Sequence, residues 1–120
     1  MELLNEELKS RFKEVGEQNL ADDPIVLAKY FDPCGSATWY VTELENNIGY
    51  GYVTGLIEDE WGYISIEELS QIKRPFGLKI ERDIYCGEKR ISEHVPELKK
   101  HIELARQRCQ NRERNQALEL

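Results

Sequence analysis

The 120-residue sequence has no run of 18 apolar residues, and its acidic start, with Glu2, Glu6 and Glu7, lacks the basic and apolar regions of a secretion signal. We therefore expect no membrane segment and a cytoplasmic location. Its three cysteines are an odd number and lie far apart in the chain. They predict free thiols in a reducing compartment rather than a disulfide framework.

Catalytic signatures are also missing from the chain. It contains no phosphate-cradling glycine loop, no Gly-x-Ser-x-Gly and no zinc-metalloprotease motif. Its only histidines, His94 and His101, are seven residues apart, which is about 10 Å along a helix and too far to share one metal ion. The sequence predicts no catalytic residue, no metal site and no cofactor, and it favours binding over enzymatic activity.

Charge of one sign dominates most of the chain, which carries a net charge of −7. Residues 1–85 hold 8 basic and 17 acidic side chains, whereas residues 86–120 hold 8 basic and 6 acidic ones. An acidic body repels nucleic acid phosphates and attracts a basic protein surface. We therefore expect a protein partner and no direct binding of nucleic acid.

Alternating or β-branched segments predict four strands, at 25–31, 38–44, 48–54 and 78–85. Asn46 and Asn47 suit a hairpin turn between the second and third strands. Gly49 and Gly51 share one face of the third strand, and Trp39 is expected to fill the space above them. Helices are predicted over 2–15 and from a capping box at Ser65, with a loop over 55–62.

These elements predict an α+β fold: a small antiparallel sheet of about four strands with flanking helices and a long C-terminal helix. Residues 1–86 are expected to form the core domain and residues 87–120 a helical extension. From Ile91 the apolar positions recur in steps of four and three, the heptad rhythm. This stripe docks on its own domain or pairs two chains, giving a monomer or a homodimer through Val95, Leu98, Ile102 and Ala105.

Three charged residues lie on strand faces that are otherwise apolar, namely Lys29, Glu43 and Arg82. Buried charges must be paired and hydrogen-bonded, so these side chains predict one polar network. The network would be either a salt-bridged core or a site for a small anionic ligand.

The acidic run Glu58, Asp59 and Glu60 is followed directly by Trp61. Consecutive side chains in a loop diverge, which argues against a shared metal ion. An aromatic residue beside carboxylates is typical of a protein-binding hot spot. The four residues are the predicted partner-binding site.

Seven segments together resemble one family, the bacterial domain of unknown function 2958. They are residues 23–31, 33–35, 38–40, 50–53, 59–63, 67–69 and 75–83. The resemblance covers about residues 1–85 and implies no reaction, ligand or catalytic residue. It does imply a setting, because the family is frequent on phages, plasmids and other mobile genetic elements of bacteria.

The leading hypothesis is a non-enzymatic, protein-binding accessory factor of a mobile element. In its concrete form the protein inhibits a host defence nuclease, as an anti-CRISPR protein does, by occupying a basic nucleic-acid channel. One alternative is a small-ligand-binding or enzymatic domain that uses Lys29, Glu43 and Arg82. The other is a nucleic-acid binder that uses the basic C-terminal helix.

Overall fold

The computed structural model describes residues 2–119, and the side chains of residues 2–115. In chain order its elements are α1 (Glu6–Val15), β1 (Ile25–Val26), β2 (Ala28–Phe31), β3 (Thr38–Glu45), β4 (Ile48–Thr54), β5 (Glu60–Ser65), α2 (Ile66–Gln71), a short 3-10 turn (Pro75–Gly77), β6 (Glu81–Arg82), β7 (Lys89–Arg90), α3 (Ile91–His94) and α4 (Glu97–Glu119).

An antiparallel sheet of five strands forms the centre of the fold, in the order β5-β4-β3-β2-β6. A second, two-stranded sheet pairs β1 with β7. The β3–β4 hairpin turns at Asn46 and Asn47, whose φ angles are 49° and 64°. Asparagine tolerates this left-handed region, so the sequence places the turn correctly.

Two apolar clusters lie on opposite faces of the sheet. The larger one packs α1 and α2 against the first face, where Tyr30 and Val41 are fully buried. The smaller one packs α3 and the start of α4 against the second face through Val26, Tyr40, Tyr52, Ile91 and Val95. The residues after position 90 therefore complete the second core. The predicted α+β class, with a long C-terminal helix, is confirmed.

The space beside the β4 glycines is used differently from the sequence prediction. A Cβ atom on Gly49 would lie 2.8 Å from a Val41 methyl group, and one on Gly51 would lie 1.9 Å from the Tyr40 carbonyl oxygen. The expectation that Trp39 fills this space is therefore wrong. Glycine is needed because β3 itself, chiefly its backbone, approaches β4 this closely.

Two predicted boundaries are also wrong. The segment predicted as a loop over 55–62 already enters β5 at Glu60. The predicted strand 78–85 is reduced to the two residues of β6, which pair with the four-residue β2. Before β6 the chain turns at Phe76, whose φ is 62°, and this turn delays pairing.

The helix α4 continues well past the sheet, and its residues 103–115 are exposed. The molecule measures 63 × 30 × 22 Å as a result. No helix in residues 2–119 is both long enough and apolar enough to span a bilayer.

Candidate functional site

Aromatic side chains cross the second face of the sheet from β3 to the outer strand β5. Strand register places Tyr52 opposite Trp61 and Tyr50 opposite Tyr63. The Tyr52 and Trp61 ring centroids are 5.2 Å apart, and those of Tyr50 and Tyr63 are 5.4 Å apart, both edge to face. Tyr50 also stacks on Trp61 at 6.0 Å. We call Tyr50, Trp61 and Tyr63 the aromatic surface.

Exposure rises along this row toward the edge of the sheet. Tyr52 lies under the second apolar cluster and keeps only 9% of its surface exposed. Trp61 is 37% exposed and Tyr63 is 83% exposed. The inner rings therefore belong to the core, while the outer rings are available to a partner.

Three carboxylates lie where the chain enters β5, with Glu58 and Asp59 in the preceding loop and Glu60 at the first position of the strand. Glu58, Asp59 and Glu60 are all exposed. The Gly55 N–H donates to Asp59 Oδ1 at 3.1 Å, which fixes the turn of the loop. Within the described residues, neither Glu58 nor Glu60 forms an ion pair. Both side chains border the first face of the sheet, so their uncompensated charges lie across the edge of β5 from the aromatic surface.

The pKa of Tyr52 is raised by burial and by two carboxylates near its ring, Asp59 and Glu97. Burial is the largest of these causes. Both carboxylates disfavour loss of the Tyr52 hydroxyl proton, which would place another negative charge near them. The same field favours a cation approaching the aromatic surface.

Glu43 borders the aromatic surface on its inner side. The β3–β4 register shifts between Val41 and Glu43, and this β-bulge aligns Glu43 with Tyr50. The Glu43 carboxylate accepts a hydrogen bond from the Gln18 backbone N–H. The Gln18 side chain in turn donates to the Ile25 and Thr42 carbonyl oxygens, each at 2.8 Å. Glu43 is thereby held at a fixed position near Tyr50.

Lys29 and Arg82 have other surroundings. The Lys29 Nζ atom lies 3.6 Å from Asp83 Oδ2 and 5.8 Å from the Tyr40 ring centroid. The Arg82 Nε atom is buried without a hydrogen-bond partner in the described part of the chain. The structure therefore corrects the expectation that Lys29, Glu43 and Arg82 form one network. The physical reason is strand register: Lys29 lies opposite Tyr40 on the second face, Arg82 lies opposite Tyr30 on the first, and Glu43 lies further along β3, opposite Tyr50.

The apolar stripe of the C-terminal helices faces the sheet. Val95 is buried, and Leu98 and Ile102 pack against the second apolar cluster. Ala105, the last residue considered for self-association, is exposed. At the next position, the Arg106 Nε atom lies 3.2 Å from Asp22 Oδ2, an ion pair that ties α4 to the loop before β1. Three of the four stripe residues thus have a packing role within the chain.

Nucleophilic and basic groups do not converge on the aromatic surface. Cys34 is exposed in the turn after β2, where its thiol lies 3.9 Å from the Pro75 carbonyl oxygen. The His94 ring lies against Tyr40, with centroids 5.3 Å apart and ring planes tilted by 47°. Among residues 2–119, no three His, Cys, Asp or Glu side chains cluster closely enough to hold a metal ion.

Sequence reasoning singled out Trp61 and the three acids as a predicted site but did not include Tyr50 and Tyr63. Both tyrosines belong to the site only because β5 pairs with β4, and the start of β5 reads as a loop. The missed signal was the alternation of Trp61 and Tyr63 with Gly62 between them, which matches the alternation of Tyr50 and Tyr52 around Gly51.

Comparison with known proteins gives one finding beyond the geometry. Searches among curated proteins and among solved structures returned no match. A family profile matches residues 3–107, which extends beyond the expected 1–85 and includes α3 and the sheet-facing part of α4. Since this match covers most of the 120 residues, the chain belongs to the family described as protein of unknown function (DUF2958).

Proposed function

We propose that this protein is a non-enzymatic binding module that recognises a basic surface on another protein. The contact site comprises the acidic segment Glu58 to Glu60 at the start of β5, which we call the acidic loop, and the aromatic surface. The observation that carries the proposal is the exposure of Trp61 and Tyr63 at a sheet edge where Glu58 and Glu60 have no ion-pair partner in the described residues.

Aromatic rings and carboxylates together suit arginine and lysine side chains. A guanidinium group stacks on the face of Trp or Tyr and can pair with a carboxylate in the same position. Trp and Tyr are also the residues most enriched among binding hot spots. The uncompensated charge of Glu58 and Glu60 would add long-range attraction and a salt-dependent association rate.

The finer form of the proposal concerns the partner's identity. Family resemblance implies a setting on bacterial mobile elements, where host defence nucleases are the natural opponents. Such nucleases hold nucleic acid in basic channels, and clustered carboxylates can occupy a channel built for phosphates. The proposed partner is therefore a host defence nuclease in the bacterial cytoplasm, inhibited in the manner of an anti-CRISPR protein.

An affinity pull-down from bacterial lysate, with and without nuclease treatment, tests the proposal. The wild type is compared with a variant that carries E58Q, D59N, E60Q and W61A. A control with E17Q, E103Q and E113Q removes the same number of exposed charges elsewhere. We expect one stoichiometric protein that survives nuclease, is retained by the control and is lost with the site variant.

Two outcomes would contradict the proposal. Equal capture by the wild type and the site variant would show that the acidic loop and Trp61 are not the contact. Capture only of proteins that vanish with nuclease would instead indicate nucleic acid, bound through the exposed arginines of α4, which are Arg106, Arg108, Arg112 and Arg114.

A further inference from the structure

The outer side of β5 has free backbone hydrogen-bonding groups. The Ile66 N–H donates to the Asn47 carbonyl at 3.1 Å, in register with the β4–β5 ladder. Bonded and non-bonded pairs alternate along an antiparallel ladder. The backbone groups of Trp61, Tyr63 and Ser65 therefore point away from β4. Within residues 2–119, no strand pairs with this side.

A groove runs beside this edge on the opposite face from the aromatic surface. Its volume is about 620 Å³, and apolar side chains including Leu56, Ile57 and Ile72 line it. Gly62 lies at its border, and a Cβ atom there would contact nothing within 4 Å. Side chains of an added strand would alternate between this groove and the aromatic surface, because residues on a strand alternate between faces.

The charge around the groove indicates which kind of segment would bind beside β5. Glu58, Glu60 and Glu68 border the groove, and no lysine or arginine is among its lining residues. A second copy of β5 would bring a second set of these carboxylates close to the first, which disfavours pairing of two identical edges. A basic segment would be attracted by this charge. Its apolar residues would fill the groove, and its basic residues, which alternate with them, would lie over the aromatic surface.

We propose that β5 binds its partner by strand addition: an extended segment of alternating basic and apolar residues pairs antiparallel or parallel with the outer edge of β5. This inference rests on the proposed function, and it adds the mode of recognition and the chemistry of the recognised segment. The backbone groups of Trp61, Tyr63 and Ser65 supply the hydrogen bonds, and the carboxylates select the basic residues.

A synthetic peptide of alternating lysine and valine, with blocked ends, is the probe. Binding to the full-length protein is followed by NMR and amide hydrogen exchange. We expect the amides of Trp61, Tyr63 and Ser65 to gain protection. A peptide N-methylated at alternate residues should bind in only one of the two methylation patterns, since only one set of its amides faces β5. No protection at about 1 mM peptide, the weak end of specific recognition, would overturn the proposal.

A pair of variants separates the backbone edge from the side chains. Tyr63→Ala removes the ring, whereas Tyr63→Pro removes both the ring and the outward N–H. Edge strands tolerate proline where the N–H faces solvent. We expect Tyr63→Pro to bind the peptide about tenfold more weakly than Tyr63→Ala, the change expected from one lost hydrogen bond and a blocked edge. The exposed Tyr85→Ala should bind like the wild type. Equal affinity of the two Tyr63 variants would overturn strand addition.

The result of the lysate pull-down is independent of the peptide result. A protein captured through the acidic loop, without peptide protection of the β5 amides, would overturn strand addition and leave the proposed function intact. Protection of these amides that rises with protein concentration alone would identify a second copy as the occupant, and would also overturn the proposal. If the peptide protects the β5 amides equally well in a variant with E58Q, D59N and E60Q, then the carboxylates do not select the basic residues.

Discussion

Replacing Ile91 by alanine should lower the free energy of unfolding by about 3 kcal/mol. Ile91 is fully buried in the second apolar cluster, between α3 and the sheet. The change removes three carbon atoms at about 0.8 kcal/mol each and leaves a cavity that adds to this cost. The fully exposed Ile57→Ala is the matched control and should change stability by less than about 0.5 kcal/mol.

Urea unfolding followed by tryptophan fluorescence measures this effect in a Trp61→Phe background, where Trp39 is the sole tryptophan of the sequence. Trp39 is buried in the first apolar cluster, on the other face of the sheet from Ile91. If both clusters unfold together, Ile91→Ala must lower the midpoint reported by Trp39. An unchanged midpoint would refute the view that α3 and the start of α4 are part of one cooperative domain, and would support an independent extension over 87–120.

Three further predictions concern local features. Gly51→Ala should prevent stable folding, seen by circular dichroism, because its Cβ would lie 1.9 Å from the Tyr40 carbonyl oxygen. Burial first, and then Lys29 and Lys89, lower the pKa of His94 in the folded state. Unfolding therefore takes up a proton near pH 6.5, and the free energy of unfolding decreases as the pH falls through that value. Denaturation at several pH values should show a smaller decrease for His94→Gln. Ser65→Ala should lower the free energy of unfolding in urea by about 1 kcal/mol, because it removes the N-cap of α2. Ser65→Asp should retain most of this stability, because aspartate can also act as an N-cap.

Local chemistry was predictable where neighbouring residues alone decide the structure. Asn46 and Asn47 form the expected turn, and the Ser65 hydroxyl accepts from the Glu68 N–H at 3.2 Å as the capping box requires. The end of α1 at Gly16, with a φ of 72°, follows from the same kind of signal. Each of these features depends on residues within four positions of one another.

Features that depend on strand register were not predictable from the sequence. The bulge between Val41 and Glu43 moves Glu43 to the face of Tyr50, and simple alternation along β3 cannot reveal such a shift. The start of β5 reads as a loop because it is acidic and contains Gly62, and only pairing with β4 makes it a strand. The aromatic surface is a product of that pairing, so no single segment predicts it.

The length of α4 affects how the protein behaves in solution. The radius of gyration is 16.8 Å, whereas a compact chain of this size has a value of about 14 Å. Gel filtration separates by hydrodynamic size, so a single 14.1 kDa chain will elute ahead of compact standards of equal mass. Its elution volume would imitate that of a dimer. Light scattering or sedimentation equilibrium, which report mass without assuming a shape, will give the true number of chains.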